Sequence, residues 1–333
     1  MEKQYMGRHK KEEDINIVEE SNMVQIEKKM GEQFFDKKAL DKEIELTKEQ
    51  IERREKAREV MREINKSSKG VIIDYGNTIK PFERQKFGHK SLDTLTNGGI
   101  KKGQCSTIWG DPDCGKTTIA YDMIATCQKE GGIAAYINME QGYDPEYATK
   151  RGINIKELII EDVITAEQCL DSVIKLCDAK VVDLIVIDSV HGLSPKGEQY
   201  DGKTEEIKST EKDTQALLAR KLSQFFRMSA GYIRKANCAV LLIGQTRTAI
   251  GGYIALETLS GGRAIKHYSR LILHIRKGSK ADSPTEKVEI DGKKETKIIG
   301  FPCVIKVDKS HMEGCIYLSE IIVPFVSGEG LKD

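Results

Sequence analysis

Long apolar runs are missing from this sequence. No stretch reaches the roughly 18 apolar residues that a membrane-spanning helix requires, so a membrane-embedded chain is not expected. An excess of charge of either sign is missing too, since 53 Lys and Arg face 52 Asp and Glu. No whole-molecule field therefore draws the chain to nucleic acid, and any such site must be local. Eight cysteines are present, but they form no Cys-x-x-Cys pair and no Cys/His cluster at zinc spacing. They read as small core hydrophobes of a reducing compartment, in a soluble cytoplasmic protein. An apolar content of 39% in 333 residues excludes a fully disordered chain and supports one large domain with an appendage.

Along the chain, residues 1–45 carry nine basic and twelve acidic side chains, net −3, with no clean period. That profile predicts a flexible or loosely helical extension. Residues 46–88 form the next unit. Within 46–69, Ala57, Val60, Met61 and Ile64 fall at helical spacing among charged residues, which predicts an amphipathic helix without a partner of its own. Its surplus of three positive charges reads as a solvated face. Val71-Ile72-Ile73 then predicts a short strand, followed by a polar linker. From residue 89 to 333, apolar strand-like runs alternate with helical stretches, the mark of a mainly parallel sheet with crossover helices. Strands are expected at 105–109, 133–138, 182–188 and 239–244, and helices at 115–130, 166–177 and 213–235. After Arg270 only strands remain, at 271–276, 303–307 and 316–325. The expected fold is α/β with an antiparallel edge.

Between the first of these strands and its helix lies Gly110-Asp111-Pro112-Asp113-Cys114-Gly115-Lys116-Thr117, followed by Thr118. Glycines at this spacing let backbone N–H groups close around phosphate oxygens, and the helix terminus adds its positive dipole end. Lys116 would reach the outer phosphates and the Thr117 hydroxyl would hold Mg2+. The apolar run that ends in Asp188 offers a carboxylate at a strand's carboxyl end, where ligands of open α/β sheets bind. Beside the phosphate loop it reads as a metal-shell residue. Glu140, just past the strand at 133–138, is the candidate for activating water, although spacing alone leaves it undecided.

These segments resemble bacterial RecA-type recombinases. The resemblance rests on Ile137-Asn138-Met139-Glu140-Gln141-Gly142-Tyr143-Asp144-Pro145-Glu146-Tyr147-Ala148 and on Ser91-Leu92-Asp93-Thr94-Leu95. It extends to Val186-Ile187-Asp188-Ser189-Val190, Leu217-Leu218-Ala219-Arg220, Gly244-Gln245-Thr246-Arg247, Gly261-Gly262 and Val307-Asp308-Lys309. These occur in the family's order over about residues 46–333. The resemblance implies a RecA-like core, ATP as the nucleotide and Glu140 as the water-activating residue. It places Asp144 and Tyr147 against adenine and makes Gln245 the sensor that couples the terminal phosphate to DNA. The implied partners are single-stranded and double-stranded DNA and further copies of the chain in a helical filament. DNA would lie along loops near 196–213 and 246–260, with Arg220, Arg227, Arg247 and Arg276 near its backbone, Gly261 and Gly262 beside it, and Ile250 wedged between bases. The helix and the strand around Ile72 and Ile73 would pack on the neighbouring subunit. Lys309 would reach that neighbour's terminal phosphate.

Two departures from the family pattern stand out. His311 occupies the position of a second lysine, so its charge would depend on pH. The pattern also continues into a carboxyl-terminal domain, whereas this sequence stops at Gly328–Asp333, so a compact, phage-like form is expected. The implied function is DNA-dependent ATP hydrolysis coupled to homologous pairing and strand exchange in recombination and repair. The alternatives are a ring-forming helicase or repair ATPase on the same core, and a regulatory paralogue without turnover.

Overall fold

The computed structural model describes residues 47–67, 81–199, 215–248, 257–259, 262–290, 293–312 and 314–333. The expected extension over 1–45 and the expected strand with Ile72 and Ile73 lie outside the described residues. The chain divides into two units, residues 1–80 and 81–333.

In the first unit the predicted amphipathic helix is observed as α1 (Lys48–Ser67). Thr47 and Gln50 start it with a reciprocal capping pair: the Gln50 N–H donates to Thr47 Oγ1 at 3.3 Å, and the Thr47 N–H to Gln50 Oε1 at 3.0 Å. No residue of α1 is buried, and Ile51 and Val60 stay exposed.

The second unit opens with β1 (Arg84–Gln85), α2 (Lys90–Leu95), β2 (Ile100–Lys101) and β3 (Cys105–Gly110). Helix α3 (Lys116–Lys129), β4 (Ala134–Asn138), α4 (Pro145–Lys150), β5 (Ile159–Asp162), α5 (Ala166–Ala179) and β6 (Leu184–Asp188) follow. Next come α6 (Lys196–Gln199), α7 (Gln215–Ala236), β7 (Ala239–Thr248), β8 (Glu257–Leu259), α8 (Gly262–Tyr268) and β9 (Leu271–Lys277). The chain closes with β10 (Thr285–Ile290), β11 (Lys293–Ile298), β12 (Gly300–Ser310), β13 (Glu320–Val326) and β14 (Gly330–Leu331).

One ten-stranded sheet, in the order β14-β13-β12-β9-β3-β7-β6-β4-β5 with β8 paired to β7, organises this unit. Strands β9, β3, β7, β6, β4 and β5 run parallel, and β12, β13 and β14 add the expected antiparallel edge. Helices cover both faces, so strands such as β6 are buried on both sides and read as continuous apolar runs. Alternate residues of one strand enter different cores: Leu184 and Val186 pack with α3, and Ile185 and Ile187 with α5 and α7.

Three expectations need correction. The last strand was expected to start at residue 316, but β13 begins at Glu320, because residues 316–319 turn: the Ser319 N–H donates to the Ile316 carbonyl at 3.2 Å. The loop expected at 246–260 is partly a hairpin, with Thr246–Thr248 paired antiparallel to Glu257–Leu259. The loop expected at 196–213 begins as helix α6, and residues 200–214 lie outside the described residues.

An ion cluster ties α3 to α4 and to the final segment. Asp122, 7% exposed, accepts from Arg151 Nε at 2.7 Å and lies 2.8 Å from His89 Nε2, while Arg151 also donates to the Glu329 carbonyl. Removing one partner of a buried ion pair leaves a desolvated charge and costs about 3 kcal/mol. Arg151→Ala is therefore expected to lower the thermal midpoint by roughly 10 °C. A midpoint within about 2 °C of the parent's would show that His89 alone satisfies Asp122.

Candidate functional site

The phosphate loop leaves β3 at Gly110 and enters α3 at Lys116, as its spacing predicts. Two of its glycines are steric requirements. A Cβ on Gly110 would lie 1.8 Å from the Ile275 carbonyl oxygen. Gly115 has φ +93°, and its Cβ would lie 2.6 Å from the Phe325 ring. Lys116, 8% exposed, donates to the Asp111 carbonyl at 2.5 Å and so stays over the loop.

The sheet order places the other candidates beside this loop. Strands β3, β7, β6 and β4 are consecutive neighbours; Gly110, Asp188 and Glu140 lie at or just past the carboxyl ends of β3, β6 and β4, and Gln245 of β7 lies level with Gly110. Thr117 Oγ1 donates to Asp188 Oδ2 at 2.7 Å, and the Tyr136 hydroxyl donates to the same oxygen at 3.0 Å. Burial pushes the Asp188 carboxyl up, against the two hydrogen bonds and Lys116, which hold it down. A buried carboxylate beside a threonine hydroxyl is a donor set suited to a hard cation such as Mg2+, which takes one or two protein ligands and completes its shell with phosphate oxygens and water. Among the described residues no group of three or more His, Cys, Asp and Glu forms a closed metal cage.

Glu140 is exposed, and its Oε1 accepts from Gln245 Nε2 at 2.7 Å and from the Ser189 hydroxyl. The Gln245 backbone N–H donates to His191 Nδ1 at 3.1 Å, which fixes the strand end against the turn after β6. Glu140 and Gln245, 105 residues apart, thus form one hydrogen-bonded unit at the root of the β7–β8 hairpin.

Tyr147 also meets the loop, sharing a 2.9 Å hydrogen bond with Thr118. It lines a cavity of about 500 Å³ together with Lys116, Thr117, Lys277, Phe301 and Phe325. The Asp144 carboxylate instead caps α4, accepting from the Glu146 and Tyr147 N–H groups at 2.9 and 3.1 Å.

Other expected residues stand apart from this centre. Arg220 and Arg227 are exposed on α7, and Arg276 pairs with Glu320 at 3.3 Å. Arg247 contributes backbone pairing to the hairpin. Gly262 begins α8, whereas Ile250 and Gly261 lie outside the described residues. Lys309 does not lie beside its own chain's phosphate loop. Its β9 partner is Ile272, which pairs with Thr107, three residues before Gly110 and so about 10 Å toward the strands' amino ends. There its ammonium donates to the Lys266 and His267 carbonyls at 2.5 and 3.1 Å. Burial, and Arg270 nearby, lower its pKa. The His311 pKa is also lowered, by burial and then by Lys309, Arg270 and Lys101, so near neutral pH it adds little positive charge.

Sequence reasoning missed Ser189, Tyr136, Lys277, Phe301 and Phe325. Ser189 adjoins Asp188, so the run that ends at Asp188 already points to it. The aromatic wall comes from the antiparallel edge more than 180 residues downstream, and no local spacing announces it.

A family model, RecA N-terminal domain, matches residues 55–322. This chain belongs to the RecA family. The RecA protein of Nostoc sp. is 38% identical over 222 residues, which are 66% of this chain and 60% of the relative. That of Synechococcus elongatus is 37% identical over the same shares. RecA of Streptococcus pyogenes serotype M5 is 34% identical over 300 residues, 89% of this chain and 75% of the relative. This RecA-family chain thus spans about 60% of the length of the cyanobacterial relatives it matches. Among its described residues no helix is long and apolar enough to cross a membrane.

Proposed function

We propose that this chain is a DNA-dependent ATPase that assembles as a filament on single-stranded DNA and catalyses homologous pairing and strand exchange with duplex DNA, in recombination and repair. The observation that carries the reading is the Glu140–Gln245 hydrogen bond. It links the candidate water-activating carboxylate to the strand that leads into the expected DNA loop.

In this reading the loop amides and Lys116 hold the β- and γ-phosphates, with Tyr147 beside the adenine. Thr117 and Asp188 would hold Mg2+, which neutralises phosphate charge when bound. Glu140 Oε1 orients water and accepts its proton as the terminal phosphoryl group departs. Gln245 exchanges its Glu140 contact for the terminal phosphate, and that movement reorders the hairpin against DNA. Arg220, Arg227, Arg247 and Arg276 supply the local positive charge that a neutral composition cannot.

Assembly has its own support. Lys309 lies far from its own phosphate loop, which suits donation to a neighbouring subunit's nucleotide. Among the described residues, strand β5 ends the sheet and pairs with β4 alone, and both Ile159 on it and Ile164 shortly after it are exposed. An edge of that kind is a template for another chain. Contact between two different surfaces then builds an open helix.

Steady-state ATP hydrolysis with and without single-stranded DNA, joined to negative-stain microscopy with a slowly hydrolysed analogue, tests the reading. DNA-stimulated turnover and helical filaments are expected. Turnover indifferent to DNA, with closed rings or single particles, would sink it.

A further inference from the structure

Strand β12 departs from regular pairing at one point. Val307 lies opposite Leu273 of β9, yet the next pair is Lys309 with Ile272, so Asp308 is an extra residue, a β-bulge. In an undisturbed strand, adjacent residues point to opposite faces. Here Asp308 and Lys309 reach the same face, the one that carries Trp109, Ile272 and α8. Asp308 Oδ2 accepts the Trp109 indole N–H at 2.9 Å, while the Lys309 ammonium meets two carbonyls at the end of α8. A bulge re-aims side chains in this way.

Trp109 is a rigid anchor for that bulge. It is 6% exposed and stacks on His274, with ring centroids 3.9 Å apart and planes 10° from parallel. It also immediately precedes Gly110, the first residue of the phosphate loop.

We propose that Trp109 and Asp308 are positioning residues for Lys309: their hydrogen bond fixes the bulge that sets its ammonium on the α8 face, from which it serves the adjoining subunit's nucleotide. The inference rests on the reading of Lys309 given above. Asp308 acts as a hydrogen-bond acceptor in this arrangement, so an amide oxygen substitutes for its carboxylate. Each subunit's phosphate-loop strand is thereby tied to the lysine that acts on the next site.

The test is made on the full chain with ATP and single-stranded DNA. Asp308→Ala is expected to lower kcat about tenfold with KM for ATP within about twofold, the pattern of a contact made only in the transition state. Trp109→Phe should share that defect. Asp308→Asn should stay within about twofold of the parent, and its emission should match the parent's, because Trp109 is the sole tryptophan and reports the contact directly.

A mixing experiment separates positioning from general damage. Asp308→Ala subunits keep their own nucleotide site, and Lys116→Ala subunits keep an intact Lys309. Mixed filaments should therefore turn over faster than the same amount of Asp308→Ala protein alone. No gain on mixing, an Asp308→Ala variant equal to the parent, or an Asp308→Asn variant as poor as Asp308→Ala would each overturn the inference. A parent protein without DNA-stimulated turnover would instead overturn the functional reading beneath it, a result the parent assay gives by itself.

Discussion

Lys116→Ala is expected to reduce ATP turnover by about 10²–10³-fold, the loss that follows removal of one preorganised charge-stabilising group. Lys116 is 8% exposed and its ammonium is held to the Asp111 carbonyl, so it would meet a bound phosphate already desolvated and in place. Among the described residues that line the cavity the other cation is Lys277, which lies over the Phe301 ring, 5.1 Å from its centroid. Phosphate release at saturating ATP and single-stranded DNA measures the effect, with circular dichroism to confirm an intact fold. Turnover within about tenfold of the parent's would remove Lys116 from the reaction.

Glu140→Gln is expected to lower turnover by about 10²–10⁴-fold, the range ascribed to a general base, while ATP binds as before. The substitution is close to isosteric, and the amide oxygen still accepts from Gln245 and Ser189, so the strand ends should keep their arrangement. What disappears is the capacity to take a proton. ATP affinity and hydrolysis thus separate in this variant, and filaments formed with ATP should outlast the parent's on DNA. Single-turnover hydrolysis and filament lifetime by light scattering are the readouts. A variant that retains more than about a tenth of parental turnover would assign the water to another group.

The parts of this site that were legible in the sequence are those whose chemistry is local. The phosphate loop spans eight residues between a strand and a helix, so spacing alone located it, and Asp188 closes an apolar run. Glu140 was only a candidate by spacing, and the family resemblance gave it a role. Gln245 became a partner of Glu140 only in the fold, where β7, β6 and β4 stand side by side.

The elements that escaped notice share a physical cause. Strand β5 has four residues, two of them acidic, and none is fully buried, so it lacks the apolar signature of its neighbours. The β10–β11 hairpin is paired from Thr285 to Ile298 yet is rich in lysine and glutamate. The polar end of β7, Gln245–Thr248, looked like loop because its pairing partner β8 lies beyond it in the chain.

The division of the interior by the sheet has a consequence for how force would travel through the molecule. Side chains that leave alternate positions of β6 and β7 enter two separate cores, one against α3 behind the phosphate loop, the other against α5, α7 and α8. Both are close-packed, and such interiors resist compression. A displacement imposed on α3 cannot be absorbed as slack on its own side. It must tilt the shared strands, and every tilt is felt at once by the helices opposite. The sheet is then less a floor than a plate shared by two cores, and Glu140 and Gln245 stand along its rim beside the phosphate loop.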